Sequence, residues 1–188
     1  RALKHSFYTL IGMTIFLLAA CGQMPTLTPA PNPAIEPQSM AWVQLGGSVT
    51  DYGSSLHYGK SLVLDSSSNP VVGWSEGARP FTTGFIKRWN GSTWEMAAEP
   101  LPDLSSDPRL ALNSLDEPVV LFSACTYYDH IIHNTRCGAA DVYVKHWNSQ
   151  SRVWEQLGNA LDRTLNSYSQ PGSIALDSFG QPVVSWQE

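Results

Sequence analysis

One phrase occurs three times in this chain of 188 residues, and it constrains the fold more than any other feature. It reads SLVLDSSSNPVVGWSE at 61–76, RLALNSLDEPVVLFSA at 109–124 and SIALDSFGQPVVSWQE at 173–188. Each copy alternates apolar and polar residues, meets Asp or Asn, turns through a short polar run and resumes at Pro-Val-Val followed by an aromatic. Alternation with a period of two buries one face of a strand. The polar centre supplies turn chemistry, so each copy predicts a β-hairpin. The proline opens the second strand, where its missing N–H is harmless. Pro70, Pro118 and Pro182 mark the register, spaced by 48 and then 64 residues.

A second phrase lies between the copies, FIKRWNGSTWEMA at 85–97 and VYVKHWNSQSRVWEQLG at 142–158. Asn90-Gly91 is a strong hairpin signal because both residue types accept positive φ. Asn90-Gly91-Ser92 also matches a glycosylation sequon, read here as a turn. An isolated copy of the end of this phrase, AWVQLGG, stands at 41–47. Two hairpins per repeat give four strands in roughly 50–60 residues, the signature of a propeller blade. The expected fold is therefore all-β, with β-propeller-type blades of four antiparallel strands. Residues 41–188 hold about two and a half of them, an incomplete propeller. The chain opens on Arg1 rather than Met and stops inside the third phrase, so a piece of a longer reading frame is expected.

Trp42, Trp74, Trp89, Trp94, Trp147, Trp154 and Trp186 fall at equivalent repeat positions, with Phe122 standing for Trp at one of them. Packing recurs with the fold whereas binding need not, so wedges between adjacent blades are expected. The other reading is a platform on which a carbohydrate stacks.

Upstream of the repeats, Arg1, Lys4 and His5 precede a nearly continuous apolar run from Phe7 to Ala20. That run has the length of a signal-peptide core and is too short for a comfortable membrane span. It ends in Leu18-Ala19-Ala20-Cys21, which resembles the bacterial lipobox. The resemblance implies a lipoprotein signal peptide over 1–20, a lipidated Cys21 as the mature N-terminus and a membrane as partner through that lipid. Two or more acyl chains anchor stably, since each buried CH2 contributes about 0.8 kcal/mol. Gly22 follows where Asp would favour the inner membrane, which points to the outer membrane or the cell surface. An ordinary signal peptide with a chance cysteine is the alternative. Five prolines within 24–38 make 21–40 a semi-rigid tether.

Without Arg1 and Lys4 the chain keeps 9 basic and 16 acidic side chains, a net charge of −7. No Lys/Arg cluster offsets it, so nucleic acid is not an expected partner.

The longer spacing between repeats contains CTYYDHIIHNTRC, residues 125–137. It lies between Ala124 and Val142, between the second and third strands of a blade, and is expected as a displayed loop. The extracytoplasmic location that the lipobox implies favours oxidised thiols. With Cys21 lipidated, Cys125 and Cys137 are the two that remain, and a disulfide between them is expected. A tetrahedral metal site from Cys125, His130, His133 and Cys137 is the alternative, and free thiols are a third state. On the disulfide reading Tyr127, Tyr128, His130 and His133 are displayed side chains that can meet a ligand.

The repeats resemble bacterial propellers of the kelch-like and sialidase-like type across 41–188. LDSFGQPVVSW, 176–186, is similar to the Asp-box hairpin, with Asp177, Gly180 and Trp186 in the Asp, Gly and aromatic places and a longer spacing to the Trp. The first copy carries Asn69 at the Gly place, and the second carries Asn113 and Glu117 for Asp and Gly. An Asp-box is a structural turn, so the resemblance implies fold rather than activity. A sialidase site needs an arginine triad. Arg79, Arg109, Arg136 and Arg163 are present, but nothing in the sequence ties three together. Glu76 and Glu188 follow the Trp of their phrases, where the second copy has Ala124, and are read as structural. There is no Gly-rich phosphate loop, no Gly-x-Ser-x-Gly and no His-Glu-x-x-His. No catalytic residue and no cofactor is assigned. The expected function is an envelope-anchored, non-enzymatic scaffold for a protein or glycan ligand. The alternative is part of a propeller hydrolase acting on extracellular glycans.

Overall fold

The computed structural model describes residues 41–50, 57–77, 82–101, 105–131, 134–161 and 167–188. The expected signal peptide and tether, 1–40, lie outside the described residues, as do Cys21, Arg79, Arg163 and His133. Val43–Glu188 is one compact unit.

The alternating phrases form ten strands, and among the described residues there is no helix. The first blade contains β1 (His57–Leu64), β2 (Pro70–Glu76), β3 (Thr83–Trp89) and β4 (Trp94–Met96). The second contains β5 (Ser105–Leu112), β6 (Pro118–Ile131), β7 (Asn134–Asn148) and β8 (Val153–Gln156). The half-blade is the hairpin β9 (Gln170–Leu176) and β10 (Pro182–Gln187). Neighbours in sequence are neighbours in each sheet, and every pairing within the sheets is antiparallel. Each sheet is thus a meander, the blade arrangement that the repeat predicts.

The turn of the repeated phrase is built the same way three times. The first side chain, Asp65, Asn113 or Asp177, accepts the backbone N–H groups two and four residues later through its Oδ1. The fourth turn residue then adopts positive φ, at Ser68 (64°), Asp116 (60°) and Gly180 (76°). The Gly place is therefore held by Ser68 and Asp116. Asn69 and Glu117, which the sequence comparison put there, each sit one residue later and lead into the proline.

The second hairpins repeat as well. Asn90 accepts the N–H groups of Ser92 and Thr93, and Asn148 those of Gln150 and Ser151. Of Asn90-Gly91, only Gly91 takes positive φ, because the Asn side chain caps the turn instead. Two tryptophans face each other across each of these hairpins, Trp89 with Trp94 at 5.5 Å between ring centroids and Trp147 with Trp154 at 5.4 Å.

Two hydrophobic layers hold the blades together. In the first, Val63, Val71 and Ile86 of one blade receive Leu110, Leu112, Val120, Phe122 and Trp147 of the next. In the second, Val119, Leu121, Val142 and Val144 receive Ile174, Leu176 and Val184 of the half-blade. Alternation along β6 explains the division: Val120 and Phe122 point to one neighbour, Val119 and Leu121 to the other. The middle blade is buried on both faces. Each fully buried Val, Leu or Phe contributes roughly 1.5–3 kcal/mol over its exposed state. Phe122, Trp147 and Trp154 are inter-blade packing residues, as the recurrence of the aromatics implies.

Each first strand bulges opposite the recurring aromatic. Register shifts separate Tyr58 from Ser61 and Ser106 from Arg109, and a third falls between Ser185 and Trp186. At the first bulge Gly59 has φ 47°, and a Cβ there would lie 2.3 Å from the Asp107 Cα of the next blade. Only glycine satisfies both demands.

Candidate functional site: the stapled ribbon

β5 stops at Ser105, whose partner is Ala124. β6 and β7 continue past that point and remain paired to Ile131 and Asn134. The segment expected as a loop is therefore a two-stranded ribbon that extends beyond its blade. The correction has a physical reason. Extending an existing ladder satisfies each backbone N–H and C=O along the insertion, which an irregular loop leaves to solvent.

The ribbon is crooked at its root. Cys125 pairs with Ala140, Tyr127 with Ala139 and Tyr128 with Cys137, with register shifts on both sides of Tyr127. Thr126 and Gly138 are the residues left over, one on each strand, so the two bulges cancel and the original register resumes. The crook brings Cys125 and Cys137 to a Cα separation of 5.7 Å, and a disulfide joins them. The expected staple is present. Both sulfurs are engaged in it, so they are not the thiolates that the alternative metal set requires.

The side chains around the staple divide in two. Tyr127 is 56% exposed. Its ring lies over Gly138, where a Cβ would come within 2.8 Å of the Tyr127 Cδ1, so the glycine makes room for the aromatic. Tyr128 is half-buried, and burial pushes its phenol above the usual tyrosine value. Asp129 and Arg136 occupy facing positions and are both exposed, an opposite-charge pair across the ribbon. The backbone of His130 pairs with Thr135; its side chain, like all of His133, lies outside what is described. Of the four predicted ligand-facing residues, the structure thus places Tyr127 at the surface and leaves Tyr128 half-buried.

The ribbon root is clamped. Ala140 forms a parallel bridge with Tyr168, its N–H donating to the Ser167 carbonyl at 3.1 Å and its carbonyl accepting from the Ser169 N–H at 2.9 Å. Ala139 and Ala140 are buried, while Tyr168 is exposed. Tyr168 is a second surface aromatic at the root that sequence reasoning missed. It lies outside both repeated phrases, so no periodic signal marks it.

A second missed arrangement is polar. Glu117 is buried, and its carboxylate accepts from the Ser149 N–H and hydroxyl, the Asn113 amide and His146 Nε2. It locks the turn before β6 to the start of the next turn after β7. The position before Pro-Val-Val is polar in all three copies, as Asn69, Glu117 and Gln181, and only the middle one carries a charge.

Two of the residues weighed for catalysis have structural partners. Arg109 donates through Nε to the Gly172 carbonyl at 3.0 Å, bridging the second blade to the half-blade. Glu76 accepts the indole N–H of Trp74 through Oε1. Arg136 sits on the ribbon. Among the described residues no grouping of three or more His, Cys, Asp or Glu side chains is arranged to hold a metal ion. No protein-family model matches this chain, and no curated protein or solved structure is significantly similar to it.

Proposed function

We propose that this chain is a lipid-anchored, extracytoplasmic scaffold whose stapled ribbon meets a protein or glycan ligand without chemistry. The observation that carries the reading is the Cys125–Cys137 disulfide at the root of the element that extends furthest from its sheet. Disulfides persist in oxidising compartments. That fits Leu18-Ala19-Ala20-Cys21 as a lipidation signal and 21–40 as the tether that lifts the blades from the membrane. A rigid ribbon presenting Tyr127 suits recognition. Tyrosine offers a large contact area with few rotors to freeze, and its ring stacks on peptide or sugar alike.

The test has two parts. Radiolabelled palmitate is expected to enter the wild-type chain and not Cys21→Ala. Soluble protein is expected to bind members of a glycan or peptide array, with Tyr127→Ala reducing the signal about tenfold, the loss of one aromatic anchor. Labelling of Cys21→Ala at the wild-type level would remove the anchor. Array signals unchanged in Tyr127→Ala would remove the ribbon. Turnover of a bound glycan would instead favour the hydrolase alternative.

A further inference from the structure

The strands of each blade run between two unlike ends. The turns of the repeated phrase and the Asn90 and Asn148 turns share one of them: Arg88 faces Asp65 and donates to the Asp116 carbonyl, and Ser149 donates to Glu117. The stapled ribbon leaves the other end, since β6 starts beside its turn at Pro118 and runs away from it to Ile131.

At the turn end, the third residue of the phrase's turn stands at the tip. It is Ser67 in the first copy, but Leu115 and Phe179 in the others, 73% and 86% exposed. Leu115 belongs to the blade that is buried on both faces, so exposure is a property of the place in the repeat. Both tips are held in position, because each N–H donates to the side chain that opens its turn, Leu115 to Asn113 at 2.9 Å and Phe179 to Asp177 at 2.8 Å. Val153, also exposed, follows the Asn148 turn at the same end. The chain enters the compact unit here as well. The Leu45 carbonyl accepts the Trp94 indole N–H at 3.1 Å, and a Cβ on Gly46 would lie 2.6 Å from the Trp89 Cζ3. Trp89 and Trp94 flank the Asn90 turn.

We infer that the turn end lies on a zwitterionic lipid surface, with Leu115, Val153 and Phe179 entering it and the ribbon pointing away. The inference rests on the reading of Cys21 as a lipid anchor. The tether 21–40, at about 3.1 Å per residue, reaches roughly 60 Å, so the anchor alone leaves the blades free to turn. It also holds the unit at a high effective concentration beside the surface. A contact of a few apolar side chains, too weak to capture a free protein, then sets the orientation. Charge selects the headgroup. Asp65, Asp116, Glu117 and Asp177 concentrate negative charge at this end, each accepting hydrogen bonds from its own turn or a neighbouring one. An anionic surface repels that charge and a zwitterionic one does not.

Hydroxyl-radical footprinting read by mass spectrometry tests this on the chain from Cys21, which keeps the compact unit Val43–Glu188 whole. The Cys21 thiol is coupled to a maleimide lipid in phosphatidylcholine vesicles, while Cys125 and Cys137 are bonded to each other and do not couple. The anchor is thus supplied whether or not a cell attaches one, so palmitate labelling succeeds or fails separately from this test. Oxidation of Leu115 and Phe179 is expected to slow about fivefold against the same chain free in solution, as burial at the interface shields them from water, while Tyr127 on the ribbon keeps its rate. Leu115→Ser with Phe179→Ser, both at exposed positions, is expected to return Val153 to its solution rate at an unchanged melting temperature. Leu115 and Phe179 as reactive on vesicles as in solution overturn the inference, and the turn end is then open to a soluble partner. Protection of Tyr127 in place of Phe179 overturns it by reversing the orientation. Protection of Val153 that survives the double substitution overturns the role of the two tips.

Discussion

Glu117 Oε2 accepts the Nε2–H of His146 at 2.9 Å, tying the turn before β6 to the third strand of the same sheet. An ionised carboxylate only accepts, so Nε2 carries the proton, and Nδ1 faces Glu155 at 3.8 Å. Hydrogen bonds from the Ser149 hydroxyl and the Asn113 amide, with lesser help from His146, outweigh burial and hold the Glu117 carboxyl at about 2, below its ordinary 4.5.

The sign of the pH dependence follows. A depressed carboxyl stabilises the fold fully above its unfolded value and loses that contribution as pH falls through its folded value. Glu117→Gln is expected to cost about 2 kcal/mol at pH 7, from the loss of charge-assisted hydrogen bonds. The gap between wild type and variant is expected to close between pH 4.5 and about 2. Urea midpoints measured across that range decide it. A gap that is constant with pH would mean that shape, not charge, is what Glu117 contributes.

Ser68 sits at φ 64° in a turn where the third repeat has Gly180. A Cβ in this region costs about 1–2 kcal/mol, part of which glycine returns as unfolded-state entropy. Ser68→Gly is therefore expected to raise stability by about 0.5–1 kcal/mol, read as a higher thermal midpoint. Asp116→Gly at the equivalent place is expected not to gain. The Asp116 carboxylate accepts the Ser66 N–H at 2.9 Å and its hydroxyl as well, joining the turns of the two blades.

The same turns show how far the sequence could be read. The strands were legible because apolar alternation and Pro-Val-Val recur in register, and Asp65, Asn113 and Asp177 were legible as turn openers. The left-handed residue was not. Ser68 and Asp116 share no chemistry with Gly180, only a dihedral angle, so matching by identity slid to Asn69 and Glu117. The staple was legible from the cysteine count and from the compartment that the lipobox resemblance implies. The ribbon was hidden because Thr126 and Gly138 interrupt the alternation with two bulges that cancel. Tyr-Tyr-Asp-His-Ile-Ile has no period of two to find. The Glu117 network joins residues about thirty positions apart, and only the folded pairing of β6 with β7 brings them together.

Leu62 and Leu110 hold the same place in the repeat and opposite environments, 64% and 4% exposed. The blade-on-blade architecture makes their energetic difference a direct test. Leu110→Ala leaves a cavity between Gly73, Val120 and Phe122 and is expected to cost about 2–4 kcal/mol. Leu62→Ala is expected to change stability by no more than about 0.5 kcal/mol, because its side chain is exposed. Denaturant unfolding of both variants checks this. Equal costs would require Leu62 to be covered in the folded chain.

The staple constrains the ribbon and lies outside both hydrophobic layers, so its removal acts locally. The disulfide closes a loop of sequence separation 12, for which chain entropy gives about 3 kcal/mol of constraint on the unfolded state. Within the native state that constraint acts on the ladder between Tyr128 and Cys137, where exposed Arg136 offers a tryptic site. Reduction, or Cys125→Ser with Cys137→Ser, is expected to speed cleavage after Arg136 at least tenfold, the ribbon opening without the blades. The indole emission of Trp147 and Trp74, both buried in the sheets, is expected to keep its native maximum while this happens. Timed digestion followed by mass spectrometry reads both outcomes. In the oxidised chain a cut after Arg136 leaves two pieces joined through the staple, and in the reduced chain they separate. Loss of the tryptophan signal in step with cleavage would show instead that ribbon and blades unfold as one unit, with the staple holding the whole array.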